Sequence, residues 1–169
     1  MQKGRSKLNQ AGMTLIELVV VILITGILSA GAVVGINYAN RMNSTSAGEK
    51  LVSLLERTRV YTLSASGTVK LVLTADNGSY YGVLMNGSTQ VDKVELGNES
   101  LTIKATKIGV NAEGAEVPET TNIKVDGDFE ITYNKANGAF GEKYKQIEIS
   151  GSDTRYVQMV YTTGRSYLK

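Results

Sequence analysis

Residues 13–36 read MTLIELVVVILITGILSAGAVVGI, a run in which Glu17 is the only charged residue. As a helix the run spans about 36 Å at ~1.5 Å per residue, enough to cross a bilayer core of about 30 Å. Lys3, Arg5 and Lys7 precede it, and the first twelve residues hold no acid. Basic residues ahead of an apolar span stay cytoplasmic, which places the remainder of the chain outside the cytoplasm. Glu17 is the odd residue. A carboxylate at mid-membrane depth costs on the order of 2.5–3.5 kcal/mol and less near the interface. No Lys or Arg follows it until Arg41. Cutting the chain after Gly12 creates an ammonium on Met13 at the same depth. In a staggered bundle, Glu17 of one subunit can meet that amine on a neighbour.

Composition removes several function classes. The chain has no Cys and no His, which excludes disulfides, Cys-His and Ser-His-Asp nucleophiles, and thiolate- or imidazole-ligated metals. Three of its 18 basic residues sit in the leader, so the body is within one charge of neutral against 16 acidic residues. Net charge therefore gives no argument for nucleic-acid binding.

Lys7-Leu8-Asn9-Gln10-Ala11-Gly12 followed by Met13-Thr14-Leu15-Ile16-Glu17-Leu18 resembles the leader and mature start of type IV prepilins and type II secretion pseudopilins. The resemblance implies that a prepilin peptidase cuts after Gly12 and methylates Met13, and that Glu17 registers subunits during assembly. Two departures stand out. The family usually has Phe where this chain has Met13, and many major pilins carry a proline well into the apolar run, where this chain has Val34 or its neighbours. Two other readings of the segment stay open. Ala30-Gly31-Ala32 supplies a small-residue cleavage pattern for an ordinary secretory signal peptide, in which case the protein is a secreted β-rich domain. The segment can also be a plain anchor with a stray glutamate.

Beyond Ile36 the pattern turns amphipathic. Ala47, Leu51, Leu54, Leu55, Thr58, Thr62 and Ala65 recur at spacings of three and four, one face of a helix. Gly67 follows as a C-terminal cap. The expectation is one helix over residues 13–66, close to 80 Å long, with weak points at Gly26, Gly31, Gly35 and Asn40–Ser46. A domain of about 100 residues cannot bury such a helix. Its first half is left to lipid or neighbouring subunits, and its second half offers one stripe to its own domain.

The remainder reads as β. Val69, Leu71 and Leu73 alternate, Asp76-Asn77-Gly78-Ser79 turns, and Tyr81, Val83 and Met85 return. Further strands are expected at Leu101–Ala105, Ile123–Val125, Phe129–Tyr133, Gln146–Ser150 and Tyr156–Tyr161, with residues 106–121 as a loop holding Pro118. The fold class is α+β, a long N-terminal helix packed on one face of an antiparallel sheet. The domains are a cleaved leader (1–12), a transmembrane or filament-core half-helix (13–36), an amphipathic half-helix (37–67) and a β-rich domain (68–169). Within the pilin-like group this layout is most similar to GspH/FimT-type minor pseudopilins, through Arg57, Arg59, Gly67, Val69, Leu71 and Thr163-Gly164-Arg165. The last three also read simply as a β-turn.

Two side-chain groupings remain. Asp126, Asp128 and Glu130 form an alternating acidic trio, half of a calcium site at most, and equally a solvated turn. Lys143, Lys145, Arg155, Arg165 and Lys169 interleave with Tyr144, Tyr156, Tyr161 and Tyr167, a pattern that suits single-stranded nucleic acid and also an ordinary solvated sheet face. No catalytic residue and no cofactor is assigned, and the chain is read as a non-enzyme. The partners implied by the resemblance are prepilin peptidase, other pilin or pseudopilin subunits and a membrane assembly machinery. DNA is the alternative ligand, in a tip or minor subunit of a DNA-uptake filament. The expected location is the cytoplasmic membrane in a single pass, then a cell-surface or periplasmic filament.

Overall fold

A computed structural model describes the chain over residues 15–169, with side chains described over 15–26 and 43–169. The leader, Gly12 and Met13 lie outside the described residues. The chain divides into two compact units, one ending at Asn37 and one running from Tyr38 to Lys169.

Helix α1 covers Leu15–Ser64, with Glu17 in its first turn. In the first unit every large apolar residue from Leu15 to Ile24 is exposed, from 82% at Leu15 to 42% at Val19. Apolar residues surround the helix there, so no single face can bury them. Among the described residues no helix is long and apolar enough to cross a membrane. The apolar run that predicts a span continues through residues 27–36, whose side chains lie outside the described set.

In the second unit the helix is amphipathic. Ala47, Leu51, Leu54, Leu55, Thr58 and Thr62 are buried, as the periodicity predicts, and Ser44 joins them. The Thr58 and Thr62 hydroxyls donate to the carbonyls of Leu54 and Thr58, at 2.7 and 2.8 Å, which lets polar side chains sit in the core. The helix ends at Ser64, and Gly67 follows with φ of 126°, a backbone angle that glycine adopts without strain.

Nine strands follow in chain order. They are β1 (Val69–Asp76), β2 (Ser79–Asn86), β3 (Thr89–Asn98), β4 (Thr102–Val110), β5 (Glu116–Asn122), β6 (Phe129–Thr132), β7 (Tyr144–Ser150), β8 (Thr154–Val160) and β9 (Arg165–Leu168). The β1–β2 hairpin turns on Asn77 and Gly78, both at positive φ, as a two-residue turn between twisted strands requires. All pairings are antiparallel. They form two sheets, ordered β3-β2-β1-β6 and β5-β4-β7-β8-β9.

One sheet was expected from the sequence, and the molecule has two. The chain leaves the first sheet at Asn98, whose side chain and carbonyl accept from the backbone N–H groups of Ser100 and Leu101. Leu101 and Ile103 then enter the core on a new sheet. Residues 106–121 are not a loop: β4 runs on to Val110, and β5 returns after a turn held by the Asn111 side chain. No residue from Thr106 to Asn122 is buried and β5 carries polar side chains on both sides, so no apolar face marks this stretch as a hairpin. Pro118 is tolerated because β5 is an edge strand. Ile123–Val125 is a turn closed onto the Asn122 carbonyl, not a strand. Strands β3 and β9 were not foreseen.

One apolar cluster joins the helix stripe to both sheets. Leu54 comes so close to β2 that a Cβ on Gly82 would collide with it. Tyr133, Phe140 and Tyr144 pack in series, the first pair tilted and the second edge-to-face, with ring centroids 4.7 and 5.5 Å apart, and the Tyr133 hydroxyl donates to the Leu55 carbonyl at 3.0 Å. The Tyr144 hydroxyl accepts from Thr132 N–H and donates to Glu130 O, occupying the free edge of β6 as a further strand would.

Candidate functional site

Of the predicted processing and assembly residues, only Glu17 falls within the described chain. It is exposed in the first turn of α1, flanked by Ile16 and Leu18, which are 69% and 50% exposed. An acid in a first helical turn suits the positive end of the helix dipole. The arrangement is an apolar helical surface interrupted by one carboxylate near its beginning.

Of the helical arginines singled out from the sequence, Arg59 meets the C-terminal turn at Gly138, in the loop between β6 and β7. Arg59 Nε donates to the Gly138 carbonyl at 2.9 Å while its Nη1 pairs with Glu56 at 3.2 Å. Gly164 sits against that same carbonyl with φ of 66°, and a Cβ there would overlap it. Helix, central loop and final hairpin are thus fastened at one point. Arg57 turns away from it and pairs with Asp92 on β3 at 2.6 Å. Sequence reasoning named Arg59 and Gly164 but missed Gly138. Its Asn137-Gly138 step had only the signature of a turn.

The five basic candidates do not form one patch. Lys143 pairs with Glu116, a contact that raises the Lys143 pKa. Lys145 is exposed at a bulge where β7 slips against β4. Arg155 shares the core-facing side of β8 with Val157 and Met159 and pairs with Asp153 at 2.9 Å. Only Arg165 and Lys169 lie on the outer side with Tyr156 and Tyr167, Lys169 exchanging backbone hydrogen bonds with Tyr156. Tyr144 is buried and offers no stacking surface.

The acidic trio also disperses. Asp126 accepts from the Asn122 N–H at 2.7 Å, Asp128 precedes β6, and Glu130 pairs with Lys70 of β1. Among the described residues no group of three acidic side chains is placed to hold a metal ion.

Residues 7–33 match the family model of the prokaryotic N-terminal methylation motif. No curated protein and no solved structure gives a significant match. The chain therefore carries the prepilin signature of type IV pilin-like proteins. The signature supports a pilin-like subunit made as a membrane-anchored precursor, and it is consistent with processing by prepilin peptidase and assembly with other pilin subunits.

Proposed function

We propose that the protein is a structural subunit of a type IV pilus or type II secretion-like filament and acts by assembly, not catalysis. In this reading the precursor spans the cytoplasmic membrane once, is cut after Gly12 and methylated on Met13. It then enters a filament with the first half of α1 in the core and the β-rich domain outward. The observation that carries it is the methylation motif over residues 7–33, which overlaps a helix whose large apolar residues from Leu15 to Ile24 are all exposed. Such a surface needs lipid or protein against it. Glu17 would pair with the Met13 amine of a neighbouring subunit, where low dielectric strengthens the attraction. The meeting of Arg59 and Gly164 at Gly138 supports a GspH/FimT-like minor subunit, because it gives both loose motifs one structural task.

The test is mass spectrometry of the protein recovered from membranes. The expected mature chain begins at an N-methylated Met13. A chain beginning at Val33 overturns the proposal in favour of a secreted domain with an ordinary signal peptide.

A further inference from the structure

The outer side of the five-stranded sheet carries a continuous row of uncharged hydrogen-bonding side chains. Thr120 of β5 faces Thr106 of β4, which faces Gln146 of β7, then Gln158 of β8, then Tyr167 of β9. All five strands contribute one residue, at the strand spacing of about 4.8 Å. The inward neighbours Ala105, Ile147 and Val157 are buried, so the row is set by the pleat and cannot turn inward. Thr106 and Thr120 bond to each other at 3.0 Å, and the Gln158 amide donates to Gln146 at 3.1 Å. These bonds fix the side chains, and each amide keeps further donor or acceptor capacity for a ligand.

The adjoining row holds one ion pair and ends in Lys169. Lys104 pairs with Glu148 at 3.7 Å, and Tyr156 follows on β8. Beside them lies an open groove of about 430 Å³, lined by Gln146, Thr154, Arg155, Tyr156, Gln158 and Lys169, with Arg155 held by Asp153 at 2.9 Å. Tyr167, 53% exposed, ends the first row with an accessible ring.

We propose that this face binds a neutral, extended β-1,4-linked glycan laid across the strands. Such a chain is a flat ribbon of hydroxyl groups with apolar C–H faces. It matches a row of amides and hydroxyls that ends in the Tyr167 ring with Tyr156 in the row beside it, rings that combine an apolar body with a polar tip. Single-stranded nucleic acid fits less well, because it needs a track of unpaired cations along its phosphates, and here Lys104 and Arg155 are held in ion pairs while Arg165 and Lys169 lie at one end of the sheet. A protein partner fits less well, because such interfaces centre on an apolar core that the row lacks. The inference does not depend on the filament reading.

The test uses the full-length protein in a zwitterionic detergent without a sugar headgroup, with cellohexaose and fully acetylated chitohexaose as probes. Binding is read by saturation-transfer NMR on the glycan protons. Saturable binding of at least one hexasaccharide is expected, weakened about tenfold or more by Gln158→Ala with Tyr167→Ala, and unchanged by Gln90→Ala on β3 of the other sheet. If the double variant loses its cooperative melt, Tyr167→Ala alone carries the comparison. No binding of either probe overturns the proposal, as does binding that the row variants leave intact. Salt-sensitive binding of an oligothymidine that displaces the glycan also overturns it, and assigns the face to nucleic acid.

Discussion

Leu18 and Leu55 belong to the same helix, yet Leu18 is 50% exposed and Leu55 is 0% exposed. The contrast extends to their surroundings. Around Leu18 the apolar residues circle the helix, and all the large ones are exposed. Around Leu55 they form one stripe that meets two sheets in a single cluster. A stripe can be satisfied by one chain, because one sheet or cluster covers one face. A fully apolar circumference calls for lipid or several neighbours at once. The two stretches therefore predict different kinds of failure: loss of assembly for the first, loss of folding for the second.

The largest expected effect is on assembly. Glu17→Leu removes a charge that membrane entry opposes and leaves the β-rich unit untouched. Processed subunit is expected in membranes at normal abundance but absent from sheared or exported filaments. Normal recovery in filaments would break the account of Glu17 as a registration charge. Glu17→Gln, which keeps size and hydrogen bonding, is expected to be milder.

Folding comes next. Leu55→Ala empties a fully buried site and is expected to cost about 2–5 kcal/mol, a large share of the roughly 5–15 kcal/mol that holds a domain together. Chemical denaturation of a fragment lacking residues 1–40, expected to be a soluble folded monomer, measures it beside its parent. In the full chain, Leu18→Ala is expected to leave the melt of the β-rich unit unchanged. Equal effects from the two leucines would erase the distinction between the two stretches.

A smaller loss is expected at the fastening point. Gly164→Ala forces a positive φ on a residue with a Cβ and drives that Cβ into the Gly138 carbonyl, at a cost of about 1–3 kcal/mol. Hydrogen exchange is expected to rise first in β9. Unchanged protection there would show that the final hairpin is held elsewhere.

The smallest effect is a pH dependence. Burial, and then the nearby Glu56 carboxylate, push the Tyr133 phenol above its ordinary value of 10.0. The fold holds the neutral form, so this contribution is complete below the unfolded value and lost as pH rises above it. Stability of the fragment is expected to be level from neutral to about pH 9 and to fall beyond pH 10. Tyr133→Phe is expected to make that fall shallower. Tyr144, raised for the same reason of burial, accounts for part of what remains.

Much of this was legible beforehand, and the reasons differ by element. The stripe from Ala47 to Thr62 was readable because a 3.6-residue period is written in consecutive residues. The β1–β2 hairpin was readable because Asn77-Gly78 has few other conformations. The end of β4 and all of β5 were hidden because the strands have exposed edges or polar faces, which erase the alternation on which strand reading depends. Gly138 was hidden for a different reason, since its importance comes from Arg59 and Gly164, which stand far from it in the chain.

By itself the sequence determined the prepilin signature, the long helix, the position of its one early carboxylate and the amphipathic stripe. Each of these depends on neighbours within a turn or two, where covalent geometry dictates which side chains share a face. The tertiary structure alone decided the division into two sheets, the dispersal of the basic and acidic residues, and the neutral row from Thr120 to Tyr167. Those depend on which strands pair and in what register. A shift of one residue in any pairing would send each of those side chains to the opposite face, and only the packing of the whole core selects the register that occurs.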